Sequence, residues 1–91
     1  MHLFKPSNTL TFDTVMTDLY HLQTYLKKSQ SPVVCLDLSA VTLCDSAGLA
    51  LLIEARRLCM KQHKTLLIEG MPKAVDALAQ FCGVDLLLNA P

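Results

Sequence analysis

The chain has no tryptophan, only three glycines and four prolines in 91 residues, and 5% aromatic side chains. Three scattered glycines cannot build the glycine-rich loop that cradles a nucleotide phosphate, so nucleotide-binding loops are excluded. Neither charge is in excess: eight Lys and Arg stand against eight Asp and Glu, with no cationic stripe. A nucleic-acid surface, which neutralises phosphates with clustered cations, is therefore excluded. No apolar run reaches the ~18–20 residues that span a bilayer, and no signal-peptide pattern opens the chain, so it is expected to be soluble and cytoplasmic. Cys35, Cys44, Cys59 and Cys82 show no C-x-x-C spacing, and His2, His21 and His63 offer no paired ligands. No metal and no cofactor is expected.

Catalysis lacks its parts as well. Ser46 is not in a G-x-S-x-G elbow, because Cys44 stands where the first glycine belongs. No histidine is placed by any pattern to act as its base. An acidic pair after the first strand, needed if Asp45 were a phosphoacceptor, is also missing. The chain is not expected to be an enzyme.

What is present is a folded composition, 52% apolar and 18% charged, in a length that fits one small domain over residues 1–91. His2–Phe4 and Thr9–Phe12 read as short strands, and Pro6-Ser7-Asn8 between them has turn chemistry, which predicts a hairpin. From Asp13, a candidate cap, Val15, Leu19, Leu22 and Leu26 fall on one face of a helix ending at Lys27-Lys28. Residues 29–32 break it. Val33–Leu38 and Thr65–Glu69 read as strands, and 46–63 as a second helix. Pro72 opens a third helix striped by Val75, Leu78, Ala79 and Cys82, and Gly83 stops it. Val84–Leu88 has the length of a last short strand. Strands joined by single helices predict an α/β fold with a mixed, mostly parallel sheet, an N-terminal hairpin and about three helices.

The most informative stretch joins the strand at 34–38 to the second helix through Asp45-Ser46-Ala47-Gly48. A hydroxyl there sits among unpaired backbone N–H groups and the positive end of the helix dipole, ready for phosphate or for a partner's polar group. Ser46 or Asp45 can equally serve as the cap. At ~100° per residue, Gly48, Leu52, Ala55 and Cys59 form the helix's central apolar line. Leu51, Leu58 and Ala47 widen it on one side, and Leu49, Met60 and Ile53 on the other. The arc covers roughly two-thirds of the circumference, more than the ~100° stripe of a surface helix, so part is expected to stay open as an interface unless neighbouring helices cover both shoulders.

Buried free thiols are the preferred reading for Cys35, Cys59 and Cys82, whereas Cys44, near the helix start, is a candidate for a lowered pKa. Asp37 reads as a solvated or loop-bonded carboxylate. Arg56-Arg57 reads as a solvated flank rather than a phosphate clamp, and Met71 as core or rim.

Leu36-Asp37-Leu38-Ser39 through Asp45-Ser46-Ala47-Gly48-Leu49 resembles the core signature of STAS domains, a family that includes anti-sigma factor antagonists and the cytoplasmic tails of sulfate transporters. Ala47–Leu52, followed by a helix rich in Glu, Ala and Arg, is most similar to the MlaB branch, the small STAS subunits of Mla phospholipid-transport ABC complexes in Gram-negative bacteria. The resemblance implies a single STAS domain without enzymatic activity. It implies a subunit that binds the ABC transporter's ATPase, supports assembly and activity, and helps maintain outer-membrane lipid asymmetry. Such a subunit lies in the cytoplasm, peripheral at the inner membrane through its partner.

Carried over by position, Ser46 falls at the site of partner contact or phosphorylation, with Asp45, Ala47, Gly48, Leu49, Ala50 and Ile53 as partner-binding residues around it. Gly48 would admit a partner's backbone. The resemblance also carries an alternative: an anti-sigma factor antagonist in a partner-switching pathway controlled by phosphorylation of Ser46. Very short N-terminal strands and the missing glycine before the first helix depart from the family pattern, and the terminal helix of longer STAS domains is expected to be absent or to come from elsewhere.

Overall fold

A computed structural model describes residues 3–89 of the chain; His2, placed above in the first strand, lies outside the described residues. The element order is β1 (Leu3–Phe4), β2 (Thr9–Leu10), α1 (Val15–Lys28), β3 (Val33–Asp37), β4 (Leu43–Cys44), α2 (Ser46–Lys61), β5 (Thr65–Glu69), α3 (Lys73–Phe81) and α4 (Asp85–Asn89). β3 runs between β1 and β5 in a three-stranded sheet, and β2 pairs with β4 in a separate ribbon. Every described pairing is parallel. The α/β class is as the sequence predicts.

The hairpin is not. β1 and β2 do not pair with each other but each with a strand much later in the chain. Ser7 donates from its backbone N–H and its hydroxyl to Asp18 Oδ1 at 3.0 and 2.9 Å, and the Asn8 carbonyl accepts from the Thr42 N–H at 2.7 Å. These bonds pin the 6–8 segment to α1 and to the β3–β4 loop, so the chain runs on from β1 to β2 instead of reversing.

Three local expectations also change. Asp13 is exposed and does not cap α1, whose N-cap is Thr14 without a side-chain cap bond. The Thr14 hydroxyl donates to the Thr9 carbonyl at 2.8 Å and accepts from the Thr11 N–H at 3.0 Å, so it serves the turn before the helix. Residues 84–88 fold as helix, not strand: the Val84 N–H reaches the Ala79 carbonyl and the Leu88 N–H the Val84 carbonyl, at 2.9 and 3.1 Å. The short strand β4, which the sequence reading leaves within a loop, forms the partner of β2.

The core lies between the helices and one face of the three-stranded sheet. Val34, Leu36 and Leu66 from the sheet meet Leu22 and Leu26 of α1, Leu52, Ala55 and Cys59 of α2, Val75 and Ala79 of α3, and Leu88 of α4. Burial of a leucine such as Leu26, Leu52 or Leu88 contributes about 2 kcal/mol. Phe4 packs its ring on Tyr25 with centroids 5.5 Å apart, which ties β1 to the C-terminal end of α1.

Candidate functional site

The start of α2 is built by Asp45. Its backbone is extended (φ −106°, ψ −172°), and Oδ1 accepts the Gly48 N–H at 3.0 Å, so the cap is Asp45 and not Ser46. The other oxygen, Oδ2, accepts the Phe12 N–H at 3.0 Å, 33 residues away in sequence. One carboxylate thus caps α2 and clasps the segment that leads from β2 into α1. Those two N–H groups, Phe12 first, hold the Asp45 carboxyl below its usual range. With the carboxylate already at the helix N-terminus, the positive dipole end is occupied by the chain's own anion.

Gly48 is buried, and its role differs from the one expected. A Cβ at this position would stand 2.0 Å from the Leu10 carbonyl oxygen and 2.7 Å from its carbon. The backbone it admits is that of β2, not that of a partner. Leu49 is likewise 3% exposed and belongs to the core, so it cannot contact a partner in the folded chain. Both are corrected as partner-binding residues.

The wide apolar arc of α2 is largely covered. Leu51 is 8% exposed, Leu49 is buried on the opposite shoulder, and Leu58 is half-buried against the core. The one large apolar side chain of α2 left exposed is Met60. What stays open is a narrower line: Ser46 and Ala50 are exposed and Ile53 half-buried, at intervals that share one side of the helix with Arg57. Ala47 and Ala50 also form, with Leu51, one wall of a groove of about 250 Å³ whose other wall is Val15, Met16 and Leu19 of α1.

Glu54 closes the groove, and its carboxylate holds the Arg57 guanidinium by two bonds of 2.7 and 2.6 Å. The guanidinium keeps the Glu54 carboxyl below its usual range. The surface is apolar with its charges internally paired, and no nucleophile–base couple stands in it.

The exposed side of α1 beside this groove is a feature the sequence reading missed. Met16 and Tyr20 of α1 are 73 and 66% exposed, and Phe12, in the turn before the helix, is 79% exposed. Their spacing of four residues was the available signal, overshadowed by the buried line of Val15, Leu19, Leu22 and Leu26. The remaining candidates fall elsewhere. Arg56 is buried and donates to the Leu88 carbonyl at 3.4 Å, which corrects its reading as a solvated flank, while Arg57 is exposed. The two do not form a clamp. Asp37 is loop-bonded, accepting the Ser39 N–H at 2.9 Å. Met71 is half-buried and packed on the core.

Cys35 and Cys59 are buried, as expected, but Cys82 is exposed. Burial, with the Asp45 charge adding to it, pushes the Cys44 thiol up, the opposite of the lowering considered for it. Among the described residues no group of His, Cys, Asp and Glu could hold a metal ion. Nor is any described helix long and apolar enough to cross a membrane.

Comparison with known families places this geometry. No curated protein matches the chain. The family model described as the Mlab STAS domain matches residues 10–89, from β2 through α4 and across the Asp45–Gly48 junction. The chain belongs to the STAS domain family, in its MlaB type.

Proposed function

We propose that the chain is a non-enzymatic accessory subunit that binds the ATPase of an Mla-type ABC phospholipid transporter and supports its assembly and activity. Through that complex it helps maintain outer-membrane lipid asymmetry. It acts as one domain in the cytoplasm, held at the inner membrane by its partner. Membership of the MlaB-type STAS family supports an accessory or regulatory protein that works by protein–protein contact. The observation that carries the docking site is the neutral apolar surface around Ser46: the Ser46–Ala50–Ile53 line and the adjoining α1–α2 groove. Such surfaces suit a protein partner better than a charged ligand. Asp45 and Gly48 hold this surface in place from behind.

The test is co-purification with a co-expressed Mla-type ATPase. Ala50→Arg should abolish capture while leaving the far-UV circular dichroism and the melting temperature near those of the parent chain. Ile53→Glu should abolish it too, with a lowered melting temperature because Ile53 also packs against the core. Ser46→Ala should leave stability within about 0.5 kcal/mol, because Asp45 supplies the cap. Intact-mass spectrometry from cells should show no phosphate. A phosphorylated fraction that Ser46→Ala removes, together with capture of an anti-sigma factor instead of an ATPase, would replace this reading with the partner-switching one.

A further inference from the structure

The three-stranded sheet has a second face, and the core does not use it. In the register of β1, β3 and β5, Leu3 is the Cα partner of Cys35 and Cys35 of Leu67. One step toward the strand ends, Asp37 pairs with Glu69, and one step the other way Val33 pairs with Thr65. Alternation places all of these on one side of the sheet, opposite Val34, Leu36 and Leu66. Lys5 continues β1 onto the same side, since its Nζ lies 3.6 Å from Asp37 Oδ2. Leu3, Val33 and Leu67 are 45, 39 and 43% exposed, and none of them packs against the core cluster. Parallel sheets are almost always covered on both faces. Here one face, among the described residues, carries three exposed aliphatic side chains around the buried Cys35.

We propose that this face is a self-association surface on which a second copy of the chain packs, sheet against sheet, about a two-fold axis parallel to the strands. The charge pattern selects that occupant. Lys5 lies at the β1 edge and Glu69 at the β5 edge, both at the C-terminal ends of parallel strands. Rotation by half a turn about an axis along β3 exchanges the two edges without reversing strand direction. Lys5 of each copy then faces Glu69 of the other, Leu3 faces Leu67, and Cys35 lies on the axis. Like every two-fold contact it is self-complementary, so each attractive pair occurs twice. Asp37 also approaches the axis and meets its own copy there. That one like-charge contact opposes the two Lys5–Glu69 pairs, and Asp37 is held back by the Ser39 N–H and shares Lys5 with the Glu69 of the other copy.

The size of the face sets the strength. The two-residue β1 with the five-residue β3 and β5, at ~4.8 Å between strands and ~3.3 Å per residue, give a footprint of roughly 190 Å² per copy. That is well under the ~800 Å² per partner of a standard stable interface. The dimer is therefore concentration-dependent, forming between the micromolar and millimolar ranges. It uses the side of the molecule away from the Ser46 surface and does not depend on the proposed ATPase docking.

Sedimentation of the whole chain across that concentration range tests the proposal. The average mass should rise from 10.0 kDa toward twice that value. Leu67→Asp should abolish the rise while the circular dichroism stays native, since Leu67 lies outside the core. Glu69→Lys should weaken association about tenfold, by turning two attractive edge pairs into repulsive ones, and Lys5→Glu in the same chain should restore it. That rescue decides the matter even if Leu67→Asp fails to fold. Ala50→Arg, at an exposed position on the Ser46 side of the molecule, should leave this association unchanged. A single 10.0 kDa species at every concentration would overturn the proposal. So would association that ignores Leu67→Asp and the charge reversals, or that Ala50→Arg removes.

Discussion

Gly48→Ala is the substitution whose outcome the geometry defines most sharply. An added Cβ would lie 2.0 Å from the Leu10 oxygen, 2.7 Å from the Leu10 carbonyl carbon and 2.8 Å from its Cβ. Ordinary contact begins at 3.4 Å, so β2 would have to retreat from α2 by about 1.4 Å. It has little freedom to do so. Leu10 is fully buried, and its carbonyl accepts the Asp45 N–H at 3.1 Å. β2 is also tied to β4 through Thr9 and Leu10.

Overpacking of this kind costs ~1–3 kcal/mol or more. The better helix propensity of alanine returns about 1 kcal/mol. Because the clash is with backbone, repulsion wins, and a net loss of about 2 kcal/mol is expected. For a domain of this length that lowers the melting temperature by roughly 10 °C. Thermal melts by circular dichroism measure it, with urea unfolding as a check that the slope is unchanged. Leu10→Ala should not rescue the variant, since the two closest atoms are main chain. Gly83→Ala is the control: nothing lies within 4 Å, and only the left-handed backbone at φ +76° opposes a side chain, for a cost of about 1 kcal/mol. A Gly48→Ala protein as stable as its parent would refute the packing of α2 against β2.

Two further outcomes follow from the described side chains. A chromogenic thiol reagent should modify Cys82 at once, Cys44 slowly, and Cys35 and Cys59 only after denaturant is added, because the last two are 1% and 0% exposed. The carboxyls of Asp45, Asp37 and Glu54 are held low in the fold by the Phe12 and Gly48 N–H groups, the Ser39 N–H and the Arg57 guanidinium respectively. Their contribution is complete above the unfolded carboxylate range near ~4 and is lost as pH falls through the lower folded values. Melting temperature should therefore hold from neutral pH to about 5 and fall below about 4, with a shallower fall in Asp45→Asn.

The long elements were legible because their apolar periods run over many residues: α1, α2 and α3 by helical spacing, β3 and β5 as short apolar runs bounded by breakers. The failures are short or depend on distant partners. Two-residue strands carry too little pattern to choose a neighbour. The bonds that direct β1 and β2, from Ser7 to Asp18 and from Thr42 to Asn8, link residues 11 and 34 apart. Val84–Leu88 is five residues of ambiguous apolar run, and its contacts with α2 and α3 decide for helix. At the site, the helical angle of each α2 residue was correct, but an angle does not say what stands opposite. The sequence leaves open whether neighbouring helices cover the shoulders of that arc; in the structure Leu51 is buried in the core cluster.

That distinction changes what the Asp45-Ser46-Ala47-Gly48 junction means. Asp45 is consumed by two backbone N–H groups and Gly48 by the backbone of Leu10, so both residue types are required by the fold itself. A chain could keep them through changes of partner, because losing either damages the domain before any complex forms. Ser46 and Ala50, with Met16 across the groove, are exposed and under no such internal demand, whereas Ile53 also packs against the core. In the proposed docking, partner choice is therefore written on the flanks of the motif, while the motif specifies the fold. Substitutions at Asp45 and Gly48 should register first as lost stability, and a substitution at the exposed Ala50 as lost binding at unchanged stability. A chimera that keeps the junction but takes its exposed α1 and α2 residues from another STAS protein should exchange partners without changing its fold.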